Sequence, residues 1–319
     1  MIDVLFTDTH FGWKNNSMTW LNSQMNFIYN QFIPTIKKLS TKDDVRVIHL
    51  GDVFDSRSTI STYVASKVVQ AFRDIRNACA EFIIVCGNHD FYSPNSDTVN
   101  TVKLLLSHID IDIVDQDILE RDDCAFIPWY VWENGEFEPR ANYIKYIFCH
   151  ADIVGTIPPA SCSGKTIFSG HIHTPNCNDK RGLYNLGSCY SLNFADSNST
   201  RGFYVIEDNK IQFVPNTESI NFYRLYNDEI LTRDIMELNT NDYIELYVTE
   251  TNMSREEYVT TIKKYTERFN HLWIIPQVVA STGQINEEFS GYDITDIMDS
   301  MIPDDLQEFY AKVKARINN

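Results

Sequence analysis

Five short apolar runs, residues 4–6, 45–50, 82–86, 144–149 and 166–168, each stop at a cluster of Asp, Asn, Gly or His. That punctuation constrains the fold more than any other feature of the chain. Apolar runs of this length, bounded by such residues, read as buried strands. Between them, residues 20–38 and 62–80 space their apolar side chains as helices do. The alternation predicts an α/β domain whose loops at the strand ends carry the chemistry. Residues 182–186, 202–207 and 211–214 then follow as strands with no helix between them, so the sheet arrangement becomes mixed. Pro215 ends the last of these strands.

The residues at the strand ends are specific in type. Asp8-Thr9-His10 follows the first run, Gly51-Asp52-Val53-Phe54-Asp55 the second, and Gly87-Asn88-His89-Asp90 the third. His150 ends the fourth, and Gly170-His171-Ile172-His173 ends the fifth. Five of the eight histidines fall in these pieces. Carboxylate, carboxamide and imidazole together suit divalent metals such as Mn²⁺. Because residues i and i+2 of a strand face one side, Asp8 with His10, and His171 with His173, should each present two ligands from one loop. The glycines before Asp52, Asn88 and His171 allow a sharp turn and close backbone approach. A single DxH or GD carries almost no information, whereas five such pieces in order, each at a strand end, form one constellation. His49, His108 and His271 lack that context; they read as a core residue, a surface helix residue and a solvated strand start.

These five pieces resemble those of the calcineurin-like metallophosphoesterases. Within that superfamily the chain is similar to the SbcD-type DNA-repair nucleases, most closely to their T-even-like phage branch. Ile127-Pro128-Trp129, Gly187-Ser188, Phe194-Ala195-Asp196 and Arg201-Gly202-Phe203 support the narrower match. The resemblance covers residues 1–216 well and the remainder only by its order of elements. It implies a β-sandwich flanked by helices, with two divalent metal ions, Mn²⁺ first and Mg²⁺ second. One ion would be held by Asp8, His10, Asp52 and His173, the other by Asn88, His150, His171 and the shared Asp52. His89 would act on the leaving oxygen as general acid or charge stabiliser. Many nucleases of the family carry a histidine three residues after the bridging Asp, where this chain has Asp55. A carboxylate there can accept a hydrogen bond from His89; the alternative is that Asp55 only caps the following loop.

The remainder of the chain shapes the expected partners. After a boundary near residues 216–219, residues 242–249 and 271–279 read as strands and 254–269 as a helix, opened by Ser254 with Glu257 in a capping box. Pro276 favours an edge position for the second strand. The division is therefore a nuclease domain over 1–216, a small α+β capping domain over 217–280, and a linker with C-terminal helices over 281–319. In the last stretch Leu306, Phe309, Tyr310, Val313 and Ile317 form one apolar stripe, preceded by Ile294, Ile297 and Met298. These helices either pack on the chain's own capping domain or, as the resemblance implies, dock on the coiled-coil base of an SbcC-type ABC ATPase, with the chain a homodimer within a heterotetramer.

Net charge is −17. Residues 1–216 hold 25 acidic against 18 basic side chains and residues 217–319 hold 19 against 9, so neither part is basic. A protein that coats duplex DNA by its own charge is thereby excluded, since affinity for phosphates comes from Lys and Arg. Lys14, Arg57, Lys180 and Arg181 lie near the site pieces and are candidates for phosphate contact, ordinary surface charge being the alternative. Seven cysteines without a CxxC pair read as small buried hydrophobes of a reducing compartment. With no signal peptide and no membrane span visible, the expected location is the cytoplasm, the host's if the chain is phage-encoded.

Three rival readings differ in specific features of the sequence. Phosphoprotein phosphatases of the superfamily carry arginines just after GDxxD and just before GNH; here Ser56 precedes Arg57, and Cys86 precedes Gly87. A small-molecule phosphodiesterase would not need the extra C-terminal region. A non-catalytic scaffold would have lost ligands, and none of the seven is missing.

Overall fold

Alternation along the first strands builds two cores at once. In Ile2–Phe6, Val45–His49 and Glu81–Val85, one set of side chains (Ile2, Val4, Phe6, Val45, Val47, Phe82, Ile84) enters one apolar cluster. The other set (Leu5, Ile48, Ile83, Val85) enters a second. Strands buried on both faces in this way read as continuous apolar runs, and that is how they appear in the sequence. The computed structural model describes residues 1–276 apart from 94–95, 136–142, 157, 159, 227–234 and 249–254.

The first sheet runs Lys210–Pro215, Gly202–Glu207, Ile2–Phe6, Val45–His49, Glu81–Val85, Asp112–Val114. Its last four strands are parallel and its first two pair antiparallel, the mixed arrangement expected. The second sheet runs Asn176–Asn178, Leu183–Asn185, Thr166–Gly170, Tyr146–His150, Cys124–Ile127, Leu119–Arg121. The two sheets meet through the second cluster, where Phe126, Phe148 and Phe168 on adjacent strands stack at 5.2 and 5.4 Å. Helix Thr62–Arg76 covers the outer face of the first sheet with Val64, Val68, Phe72 and Ile75. The expected class, an α/β sandwich flanked by helices, is the observed one.

Helical spacing over 20–38 appears as three consecutive segments: Met18–Asn26, a wider π turn Phe27–Phe32, and Ile33–Leu39. Pro34 has no N–H to give the carbonyl four residues back, and the ladder widens ahead of it. Beyond Pro215 the chain forms a third sheet, Phe222–Tyr226, Tyr243–Val248, His271–Pro276, with all strands parallel and helix Arg255–Arg268 joining the last two. Its own apolar core centres on Leu225, Ile244, Leu246 and Ile262. The first strand of this sheet escaped the sequence reading because Arg224 interrupts it and its burial does not alternate. Among the described residues, Pro276 sits on an edge strand. Ser254 and everything after Pro276, including the expected C-terminal helices, lie outside the described residues.

The sheet-to-sheet contact sets the distance between the two halves of the fold, so its central ring should be costly to remove. Phe148→Ala is expected to lower stability by about 3–5 kcal/mol. The measurement is denaturant unfolding, with a lower midpoint and an unchanged slope.

Candidate metal centre

Strand order decides where the five sequence pieces go. Asp8-Thr9-His10, the Asp52 loop and the Asn88 loop leave the C-terminal ends of three neighbouring strands of the first sheet. His150 and the His171–His173 loop leave two neighbouring strands of the second. The first two loops continue the strand pairing past the strand ends: Asp8 N donates to Gly51 O, His10 N to Asp52 O, and Phe11 N to Val53 O, at 2.9–3.0 Å. The backbone there is not extended, however. Asp8, His10, Asp52 and His171 all have positive φ, at 51, 41, 55 and 80°. Simple strand alternation therefore does not present the ligand pairs. Left-handed turns do, at a cost of roughly 1 kcal/mol or more per residue that the surrounding bonds must hold.

Gly51 (φ 93°) shows why small residues flank the ligands. A Cβ on it would lie 2.5 Å from His150 Nδ1 and 2.7 Å from Gly87 N. A Cβ on Gly87 would collide with the Asp52 carboxylate. The Asp52 and Asn88 loops of the first sheet pack backbone to backbone, with the His150 side chain of the second sheet against them.

Two groups of ligand atoms result, and Asp52 reaches both. In the first, His10 Nε2 is 3.8 Å from Asp8 Oδ1 and 3.8 Å from Asp52 Oδ2, while His173 Nε2 is 3.0 Å from His10 Nε2 and 3.7 Å from Asp8 Oδ1. In the second, His150 Nε2 is 3.4 Å from Asp52 Oδ1 and 3.1 Å from Asn88 Oδ1, which is 3.0 Å from His171 Nδ1. His171 and His173, two positions apart in sequence, thus go to different groups. Asp8 Oδ1 and His10 Nδ1 are buried without a hydrogen-bond partner. Carboxylate oxygens and imidazole nitrogens converging with unmet lone pairs are the donor set of a divalent cation, and the residues fit two.

Protons and charges follow from burial. His150 Nδ1 donates to the Leu50 carbonyl at 2.6 Å, which turns Nε2 toward Asp52. Burial opposes both carboxylate charges, but His10 at Asp8 and His150 at Asp52 outweigh it and hold both below the ordinary range. Burial likewise opposes charge on His150, yet Asp52 pushes it up to about 9. His171 and His173 are pulled down mainly by burial. His49 is a satisfied core residue: it accepts from Gly51 N and bonds Thr9 Oγ1, and burial lowers it to about 3.

His89 stands with His10 and Asp52 in a trio whose ligand-type atoms lie within 4.8 Å of one another. Its Nδ1 donates to the backbone carbonyl of Asp55 at 2.6 Å. The Asp55 carboxylate instead lies 3.7 Å from His10 Nδ1. The expected bond from His89 to the Asp55 side chain is therefore corrected, because the loop turns the carbonyl, not the carboxylate, toward the ring.

Several residues that hold the site were not assigned from sequence. Asp90 is buried and accepts from Gly87 N, Asp52 N and Val53 N at 2.8–3.0 Å, tying two ligand loops together. Burial and then Asp52 push it up to about 7. Its place directly after Gly87-Asn88-His89 was the only signal. Arg201, buried with Asp196, donates to the His173 carbonyl and to Asp196 Oδ1 (2.7 Å), so the two stretches quoted for the resemblance prove to be one brace behind His173. Gln24 and the Tyr190 hydroxyl both donate to Thr9 O, for which sequence offered no signal.

The candidate phosphate contacts disperse. Lys180 and Arg181 are exposed in the turn between Asn176–Asn178 and Leu183–Asn185, and Arg57 is half-buried. Lys14 Nζ lies over the rings of Trp20 and Tyr243 at 5.0 and 5.2 Å. His108 is an exposed turn residue 3.2 Å from Arg73, and His271 stacks on Tyr243 at 4.2 Å instead of standing free in solvent. Five cysteines are buried, Cys79 is half-buried and Cys177 is exposed, all as free thiols. No helix among the described residues is long and apolar enough to cross a membrane.

The family model for calcineurin-like phosphoesterases matches residues 4–247. No curated protein matches the chain.

Metal loading should release protons. A ligand imidazole must be neutral, whereas Asp52 keeps His150 protonated at neutral pH without metal. Calorimetric titration with Mn²⁺ in two buffers of different ionisation enthalpy should show net release, and uptake with none would remove His150 from the ligand set.

Proposed function

Because the chain belongs to the calcineurin-like phosphoesterase family, we propose that it is a DNA nuclease that hydrolyses phosphodiesters with two divalent cations, Mn²⁺ in first place. The observation that carries the two-cation reading is Asp52, whose Oδ2 faces His10 while its Oδ1 faces His150. Asp8, His10, Asp52 and His173 would hold one ion; Asp52, Asn88, His150 and His171 the other. The chemistry such cations would supply when bound is polarisation of the phosphate and a more acidic attacking water. The chain's own groups do the rest. Asp90 and Arg201 keep the ligand loops in place, so little reorganisation remains for the reaction itself. His89 has Nδ1 committed to the Asp55 carbonyl, which leaves Nε2 to hold a proton for the departing oxygen.

The narrower reading makes the chain the nuclease subunit of an SbcCD-type recombination and repair complex, related to the phage branch and acting in the cytoplasm. The motifs quoted for the resemblance support it, and so does charge. A chain of −17 has little electrostatic grip on DNA, and a coiled-coil ABC ATPase partner docking on residues 293–319 would supply it. That tail lies outside the described residues.

A nuclease assay with Mn²⁺ or Mg²⁺, on linear duplex and circular single-stranded DNA, tests the substrate. A phosphomonoester and bis-p-nitrophenyl phosphate run beside it separate a nuclease from a phosphatase. Asp52→Ala should abolish cleavage and lose at least one ion. His89→Ala should keep both ions and slow cleavage by about 10²–10⁴-fold; an accompanying loss of metal would place His89 among the ligands.

Deleting residues 293–319 should leave metal binding and Mn²⁺-dependent activity of the isolated chain intact while abolishing co-purification with the ATPase. Unchanged affinity for the ATPase, or an unfolded product, would assign those helices to the chain's own core.

A further inference from the structure

A row of aromatic rings leads away from the metal centre across the third sheet. Phe222, Tyr243 and His271 are register partners on its three strands. Phe222 and Tyr243 stand 4.9 Å apart, and Tyr243 and His271 stack at 4.2 Å with 12° between planes. Trp273, two residues on and on the same face, lies 5.8 Å from Tyr243 at 26° and 6.4 Å from His271 at 16°. At the other end Trp20 stacks on Phe222 at 5.6 Å and 6°. Trp13 packs on the same cluster and stands 6.2 Å from the His10 ring.

Burial changes along this row. Trp20 and Phe222 are 3% and 2% exposed, as a seam between packed elements requires, whereas Trp273 is 45% exposed. The row ends on the edge strand His271–Pro276 of the described sheet. Phe194 packs edge-on against the Trp273 ring at 5.8 Å and 81°, so part of the indole belongs to the seam, and the exposed remainder offers a surface to a flat aromatic ligand. The one cation over the row, Lys14, faces ring planes and has no carboxylate within 4 Å among the described residues. An exposed ring at the end of the row and a cation beside it match an unpaired base and a neighbouring phosphate, and stacking of this kind tolerates any base.

We infer that the outer end of this row is a stacking track for unpaired DNA bases, with Trp273 receiving a base and Lys14 beside a backbone phosphate, while the buried Trp20 and Phe222 brace it from behind and the strand continues toward the metal centre. The inference rests on the DNA reading above and narrows its substrate to single-stranded or frayed DNA. It also gives an acidic chain a grip that owes little to net charge.

The full chain is tested with oligothymidylate, without metal for binding and with Mn²⁺ for turnover. Trp273→Ala should weaken oligothymidylate binding by about ten-fold or more, the loss of one base stack, and leave bis-p-nitrophenyl phosphate hydrolysis unchanged. Trp273→Phe should keep most of the affinity, and Lys14→Gln should reduce the salt dependence by about one phosphate contact. Unchanged oligothymidylate affinity in Trp273→Ala overturns the track, as does a wild-type chain that does not bind the oligomer. Loss of bis-p-nitrophenyl phosphate hydrolysis in both Trp273 variants also overturns it, since the ring would then be structural. If Trp273→Ala still binds the oligomer but no longer binds the ATPase, the face belongs to a protein and the track is refuted. A wild-type chain that binds oligothymidylate but cuts no DNA sinks the nuclease reading and leaves the track standing.

Discussion

Asp8 and Asp52 are buried carboxylates set among His10, His150 and His173, and their charges must be answered inside the protein. Burying an unpaired carboxylate costs several kcal/mol, so such a pair survives only with cations beside it. Protonated imidazoles supply that charge in the metal-free chain, which is why Asp52 raises His150 while His150 lowers Asp52. Bound divalent ions would take over the same role with more charge and a fixed geometry. Much of the remaining structure can be understood as what keeps these groups from drifting apart.

Neither sheet could do this alone. The first supplies Asp8, His10, Asp52 and Asn88, the second His150, His171 and His173, and the stacked phenylalanines between them fix how closely the two strand ends approach. Close-packed interiors transmit small displacements, so a change in that layer would move one half of each ligand group against the other. The left-handed turns at Asp8, His10, Asp52 and His171 are unfavourable locally. Asp90, Arg201, Gln24 and Tyr190 hold them from behind through bonds to backbone N–H and C=O groups.

Charge and chemistry pull in different directions in this molecule. An acidic surface repels the phosphates that the metal centre is built to meet, and screening at physiological salt leaves only contacts within about 8 Å effective. Local devices would then matter more than net charge: the cations the centre would hold, Lys14 over its rings, and the exposed end of the aromatic row. Base–aromatic stacking acts through ring faces whatever the base, and adds to the phosphate contacts that salt weakens.

Strand ends, ligand types and their order were legible in the sequence because they are local properties. A short apolar run followed by GD, GNH or GHIH names both the strand and the group it carries. All seven metal-ligand candidates lie together in the structure for that reason. The grouping was not legible from residue spacing: neighbours His171 and His173 separate, while His10 and His173, 163 positions apart, meet at 3.0 Å. Nor were the left-handed turns, the Asp55 carbonyl against His89, or the Asp90 and Arg201 braces. Each depends on how two sheets pack and on which backbone groups that packing leaves facing inward. The aromatic row belongs with them, because Phe222, Tyr243 and His271 are scattered in the chain and become neighbours through parallel strand register, while Trp20 reaches them from the helix Met18–Asn26. Residue chemistry was written locally; distance and direction came from long-range packing, which no local pattern encodes.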